Sequence, residues 1–344
     1  MVKHIIVLVI LCSVNFSSCA CPKTFRNAMV TITDENGYQN EIRINDCLHN
    51  SSIRTFSLLS RTKKILKDTF YNLTNLERIE VRDVGLYVIE PKFAENIPNV
   101  AIFDAYKNQI EIIENNVFNN FKSWKILLDS NRIFYVEDGA FHGMHMTYLN
   151  LNDNQLSAIN SSWFYHTQIY DLALAYNKIT SLDALTFSGI FGVEILWLQF
   201  NKINYIAHDT FSIHLDLKRL YLSGNSLLYL DFNSPKSLQY LDVSFNLISS
   251  ILFENTTELV GVSIYPNPLI CKCLLRFWKK IGKLNIEIRE SLFLKTPLEE
   301  EYPMCIAANY ITCGEDSAIA DNALYKEYFK LVNYCNLWDF SYRR

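Results

Sequence analysis

Asparagine recurs through the middle of this chain at a near-constant interval. It stands at Asn108, Asn131, Asn154, Asn177, Asn201, Asn225, Asn246 and Asn267, spaced 23, 23, 23, 24, 24, 21 and 21 residues apart. Around each Asn the same apolar frame returns, as in Leu149-x-Leu151-x-x-Asn154-x-Leu156, Leu172-x-Leu174-x-x-Asn177-x-Ile179 and Leu220-x-Leu222-x-x-Asn225-x-Leu227. Another apolar residue follows three positions later (Ile159, Leu182, Ile206, Leu230), and then a Phe (Phe118, Phe141, Phe164, Phe187, Phe211). Phe70 and Phe93 mark two earlier units in which Arg61 and Val84 replace the Asn. A repeat this short cannot bury its own apolar residues, so the units have to stack, about ten of them over residues 53–270.

The alternating apolar-x-apolar segment predicts a short strand with one buried face, and successive units then pair as a parallel sheet. An Asn at the turn is expected to be buried, its carboxamide donating to and accepting from backbone groups that would otherwise be orphaned. A scatter of surface Asn would not hold a fixed offset to Leu. Composition agrees: 49% hydrophobic and 20% charged residues exclude a disordered chain.

The frame resembles the extracellular leucine-rich-repeat family, whose pattern is L-x-x-L-x-L-x-x-N-x-L, over about two-thirds of the chain. The resemblance implies an α/β horseshoe solenoid. Its parallel β-sheet lines the concave face, its convex face is mostly irregular or 3-10, and a small helical disulfide cap ends it.

Residues 1–20 read as a secretory signal peptide: Lys3 and His4, the apolar run Ile5–Leu11, then Ser18-Cys19-Ala20. Export makes the remaining cysteines cross-links, Cys21, Cys47, Cys271, Cys273, Cys305, Cys313 and Cys335. Cys21 and Cys47 bracket an N-terminal cap over 21–52, read as a hairpin from Asn36-Gly37 and Ile42-x-Ile44. Residues 271–344 form a cysteine-rich C-terminal cap and tail, in which Leu274, Phe277, Trp278 and Ile281 share one helical face. Leu324, Tyr328, Leu331 and Val332 share another with Cys335, which places Cys335 in a buried pair. The resemblance implies that Cys271 and Cys273 each link to a later cysteine. Three later ones are on offer, so either Cys305 or Cys313 is spare, open to a disulfide-linked partner or left as a protected thiol.

No serine-hydrolase elbow, zinc-protease helix, phosphate loop or dinucleotide fingerprint occurs, so the chain reads as non-enzymatic, with no cofactor and no metal. His142, His145 and His166 are spaced like ligands but fall on an expected surface turn. The Glu299-Glu300-Glu301 run reads as a solvated loop. With 32 Lys and Arg against 36 Asp and Glu, the formal charge of -4 gives no drive toward nucleic acid or anionic lipid. No later stretch is long and apolar enough to span a membrane, and the expected location is extracellular.

The concave sheet is the remaining candidate. Its expected lining is aromatic: Tyr106, Trp124, Tyr148, Tyr170, Tyr176, Trp197, Phe200, Tyr221, Tyr240 and Phe245. Asp104, Asp129, Asp153, Asp171 and Asp242 are interspersed, and Ala173 and Ala175 leave a shallow pocket beside Trp197. Open Trp and Tyr rings with few charges have the composition of binding hot spots, whereas Phe200 and Phe245, next to the Asn row, read as structural. Tyr106, Trp124, Asp129, Tyr148, Tyr170, Asp171, Trp197, Tyr221 and Tyr240 are the expected ligand contacts. Sequons at Asn50, Asn72, Asn160 and Asn255 fall off that face. The expected function is recognition of an extracellular protein or microbial-surface ligand, with a further resemblance to secreted insect leucine-rich immune proteins, though without their C-terminal heptads. Cell adhesion or receptor-ligand binding in development, and a structural matrix spacer, are the competing readings.

Overall fold

The structure, a computed structural model, describes residues 25–46, 52–97, 100–118, 121–211, 216–254, 258–264, 266–270, 273 and 287–288. The signal peptide, six of the seven cap cysteines, the sequons at Asn50 and Asn255 and both proposed cap helices lie outside these residues. The seventh, Cys273, is buried and disulfide-bonded.

Ten strands, from Ile53–Leu58 to Gly261–Ser263, pair in parallel and in sequence order. Their register keeps each repeat's frame in line: Leu172 faces Leu196, Leu196 faces Leu220 and Leu220 faces Leu241, with Ala173, Trp197, Tyr221 and Asp242 forming the next row outward. The inward row is fully buried at Leu149, Leu172, Leu196, Leu220 and Leu241. Short parallel pairs, such as Ile112–Ile113 with Tyr135–Val136 and Tyr229–Asn233 with Ser250–Glu254, close the opposite wall of the coil. Apart from the 3-10 turn Ser161–Phe164 and helical Cys273, the described residues are strand, turn and irregular backbone.

Phenylalanine fills the space between the two walls. Phe118, Phe141 and Phe164 lie face to face, with centroids 5.5 and 5.6 Å apart. Phe70, Phe93 and Phe118 meet edge to face at 6.4 and 6.0 Å. Each such contact adds roughly 0.5–1.5 kcal/mol beyond area burial, and Phe187 and Phe211 stack in the same way further along, 6.0 Å apart.

The Asn row works as the backbone accounting requires. Asn177 Oδ1 accepts from Leu156 N at 3.0 Å, and its Nδ2 donates to Leu151 O and Leu174 O at 2.9 and 3.1 Å. Asn131, Asn154, Asn201, Asn225, Asn246 and Asn267 repeat the pattern, each bridging its own turn to the preceding one. The residue before each Asn from Asn108 to Asn246 is left-handed: Lys107, Ser130, Asp153, Tyr176, Phe200, Gly224 and Phe245 have φ between 52° and 69°. That region costs a non-glycine residue about 1 kcal/mol. The turn is nevertheless enforced by the carboxamide bonds on both sides of it.

At the N-terminal end, Phe25–Asp34 and Gln39–Asp46 form the expected hairpin, turning through Gly37 at φ +83°. The Asp34 carboxylate accepts from Asn36 N and Tyr38 N inside the turn. Phe25–Asp34 then pairs antiparallel with Ile53–Leu58, so the cap covers the sheet edge that would otherwise offer unpaired amides. At the other end the ladder runs past Ile270: Glu287–Ile288 joins Gly261–Ser263 in parallel and extends the sheet into the segment assigned to the C-terminal cap.

Candidate functional site

The outward row of each strand makes the concave face. At the N-terminal end it is ionic and closed on itself. Arg78 Nη1 donates to Glu80 Oε1 at 3.0 Å, Arg82 Nε to Asp104 Oδ2 at 2.7 Å, and Lys107 Nζ to Asp83 Oδ2 at 2.8 Å. Burial opposes ionisation of Glu80, but the bonds from Arg78 and Ser57 and the charge of Arg82 outweigh it and hold the carboxyl below its ordinary range. Asp104 is buried and also receives Tyr106 N at 3.1 Å, so this acid serves the turn rather than the surface.

The middle of the face is open. Trp124 is 61% exposed, Tyr170 43% and Tyr106 39%, which places three expected contacts in solvent. Asp129 and Tyr148 are half-buried. Among the described residues Asp129 accepts no side-chain hydrogen bond; burial and then the charges of Asp104 and Asp153 push its carboxyl above the ordinary range. Tyr148 is pushed up to about 12 by burial, helped by the charges of Asp171 and Asp129.

Further along, the rings turn to one another. The Trp197 indole lies parallel to Tyr221 with centroids 4.2 Å apart, and Tyr221 meets Tyr240 at 5.6 Å. Trp197 Nε1 donates to Asp171 Oδ1 at 2.7 Å, and the small Ala173, on the strand of Asp171 and in register opposite Trp197, leaves room for that reach. Burial pushes Asp171 upward despite that bond. Tyr240 Oη shares a hydrogen bond with Ser263 Oγ at 2.8 Å, and Asp242 is buried with Ser244 bonded to it at 2.6 Å. Tyr221, at 2% exposure, and Tyr240, at 7%, are therefore not open rings as expected; aromatic packing along the row removes them from solvent. Leu196 and Leu220 point into the core, so the face itself is the one the frame assigns.

Two polar residues on this face were not singled out from the sequence, Gln199 and Ser223. They occupy the second outward position of consecutive repeats, which the frame makes legible; their burial needs coordinates. Ala175, also at that position, is fully buried. Tyr176 and Phe200, one residue further on, stack at 4.7 Å. Phe200 lies over Gly224, where an added Cβ would come within 2.5 Å of Phe200 Cδ1. His142, Tyr165 and His166 cluster by themselves, with the His142 and His166 rings 6.3 Å apart, and among the described residues no acid or thiol joins them as a third ligand.

With this geometry, the comparisons with known proteins are decisive for family. Six copies of the BspA type leucine rich repeat region match, over residues 40–153, 111–239 and 157–269. The chain belongs to the leucine-rich-repeat family. Among curated leucine-rich-repeat relatives, podocan from Mus musculus is 25% identical over 267 residues, covering 74% of this chain and 43% of podocan. Keratocan from Mus musculus is 30% identical over 150 residues, covering 42% of each. The chain thus spans about two-fifths of the length of these relatives. Of solved structures, the glycosylated Toll–Spatzle complex of Drosophila development and innate immunity matches with a TM-score of 0.51 at 20% identity, over 74% of this chain and 42% of that one. The LRIM1/APL1C complex matches at 0.53 and 15% identity, over 83% and 49%. These likenesses establish the repeat solenoid. No helix among the described residues is long and apolar enough to cross a membrane.

Proposed function

We propose that this leucine-rich-repeat chain is a secreted, non-enzymatic recognition protein that binds an extracellular protein or a microbial-surface ligand through its concave face, in innate immunity. The observation that carries this reading is the open centre of the sheet. Trp124, Tyr106 and Tyr170 stand in solvent on a backbone already fixed by its neighbours, and the half-buried Asp129 on the same face accepts no side-chain hydrogen bond among the described residues. Rigid aromatic rings lose little entropy on contact, and a partly desolvated carboxylate gains from a donor brought by a partner. The sequons at Asn72 and Asn160 are exposed and off the outward strand positions, so sugars there would leave the face clear. Secretion through residues 1–20 and disulfides in both caps fit the extracellular matrix relatives.

The partner is to be sought by pull-down with the purified secreted chain alongside a Trp124→Ala/Tyr170→Ala variant. The variant is expected to lose at least tenfold in capture of the wild-type partner; equal capture of every partner by both refutes the concave site. A developmental adhesion or receptor-ligand role would use the same surface, and is favoured if expression is constant in neural or epithelial tissue rather than induced by infection.

A further inference from the structure

Charge is paired off at both ends of the concave face and left unopposed in its middle. Toward the N-terminus Arg78 meets Glu80, Arg82 meets Asp104 and Lys107 meets Asp83; toward the other end Lys218 meets Glu194 at 2.8 Å. Between them lie the repeats of Ser123–Leu127, His145–Asn150 and Thr167–Ala173, whose outward positions carry Asp129, Asp153 and Asp171 against a single cation, Lys125. Lys125 acts on Asp171 through its charge alone. Ser130 Oγ donates to Asp153 at 2.9 Å and Trp197 Nε1 to Asp171, but among the described residues none of the three carboxylates forms an ion pair. Carboxylates on adjacent strands repel, and the curved face around them keeps part of their field out of water. Asn would satisfy the same turns without that repulsion, so folding does not account for the charge. The same three repeats also hold Trp124, Tyr170 and Tyr176, with Tyr106 in the repeat before, and all four rings are exposed.

A cation brought by a partner relieves the repulsion, and open rings add to its hold. Each Trp or Tyr face attracts a guanidinium or ammonium group by roughly 0.5–1 kcal/mol at exposed sites. The apolar stems of Arg and Lys cover the rings at the same time. Trp124 and Asp129 lie at opposite ends of one outward row, about 16 Å apart along an extended backbone. Among the described residues no three acids or histidines come together as metal ligands do. Both facts point to cations spread along a chain instead of a single ion. We propose that the middle of the concave face, from Trp124 and Tyr170 to Asp129 and Asp153, docks an extended basic segment of an extracellular protein, whose Arg and Lys side chains lie on the rings and pair with the carboxylates. The same charge turns polyanions away. This rests on the concave face being the recognition surface and names the chemistry of its partner.

The test is calorimetric titration of the full secreted protein with a peptide of about ten residues alternating arginine and serine, and with the same peptide carrying citrulline, an uncharged isostere, at each arginine. The arginine peptide is expected to bind at least tenfold more tightly than the citrulline peptide. Its affinity is expected to fall about fivefold between about 50 and 300 mM salt, because screening shortens the reach of the charges. Asp129→Asn/Asp153→Asn is expected to weaken its binding roughly tenfold without lowering the melting temperature. Asn keeps an acceptor for Ser130 Oγ and suits the left-handed backbone of residue 153, at φ 52°. Should the double variant fail to fold, Asp153→Asn answers alone. Glu111→Gln, which removes an exposed acid beside Ile112–Ile113 of the opposite wall, is expected to leave binding unchanged. No binding of the arginine peptide, equal binding of the citrulline peptide, affinity indifferent to salt, undiminished binding by the folded Asn variants, or an equal loss in Glu111→Gln would each overturn the proposal. The capture experiment separates this from the broader function. A partner lost by Trp124→Ala/Tyr170→Ala but captured in full by Asp129→Asn/Asp153→Asn leaves the recognition surface standing and refutes its basic partner.

Discussion

Asn177 offers the sharpest test of how the coils are held together. Replacing it with Leu removes the acceptor for Leu156 N and the donor to Leu151 O, Leu174 O and Ala175 O. The carbonyls are not stranded: Leu151 O keeps Asn154 Nδ2 at 3.1 Å, Leu174 O keeps Asn201 Nδ2 at 2.9 Å, and Ala175 O keeps Asp153 N at 2.9 Å. The Leu156 amide alone loses its partner, so the expected cost is that of one orphaned buried donor, about 1–3 kcal/mol. Asn177→Asp keeps an acceptor for Leu156 N but aims its second oxygen at those carbonyls. It should cost more than Leu at neutral pH and less in acid, because the folded state raises the new carboxyl above its unfolded value. Its penalty is then absent below that unfolded value and grows as pH rises through the folded one. Urea unfolding followed by far-ultraviolet circular dichroism at several pH values, against wild type at each, measures both. A Leu variant within about 0.5 kcal/mol of wild type, or an Asp variant whose deficit is independent of pH, would refute the assignment of the ladder as the clamp between coils.

Gly224→Ala should destabilise by about 1–2 kcal/mol, since a left-handed residue at φ +69° would place its Cβ against the Phe200 ring; a lowered urea midpoint with unchanged slope would show it. Tyr148 is expected to titrate near 12 by ultraviolet difference spectroscopy, and the stability its neutral phenol contributes is intact below about pH 10 and lost as pH rises toward 12, a fall that Tyr148→Phe removes. Asp129→Asn should raise stability by about 0.5 kcal/mol near neutral pH by deleting a carboxylate that burial raises, with the gain vanishing in acid where Asp129 takes up its proton, as parallel unfolding series will record.

Repetition made much of this molecule readable. One Leu and one Asn at a fixed offset place a residue inside or outside, and eight matches leave no freedom in the register; Leu196 inward with Trp197 outward follows from that alone. The hairpin was equally legible, because Asn36-Gly37 between alternating apolar residues is a local signal. The site was less so. The frame says which way a side chain points but not whether a neighbour covers it: Trp124 and Tyr221 both lie outward, and one stands in solvent while the other is packed under rings from adjacent strands. Asp104 and Asp242 likewise read as surface acids and prove to be buried partners of Arg82 and Ser244.

The linear order of residues therefore determined the solenoid, its buried rows and the face available for contact, because those depend on periods shorter than a single coil. Tertiary structure alone decided which rings stay open, which acids are paired and which polar residues are buried, as at Gln199 and Ser223. Most of those outcomes, such as Arg82 on Asp104 and Trp197 on Tyr221, depend on side chains more than twenty residues apart in the chain that meet only when consecutive strands settle about 4.8 Å from one another.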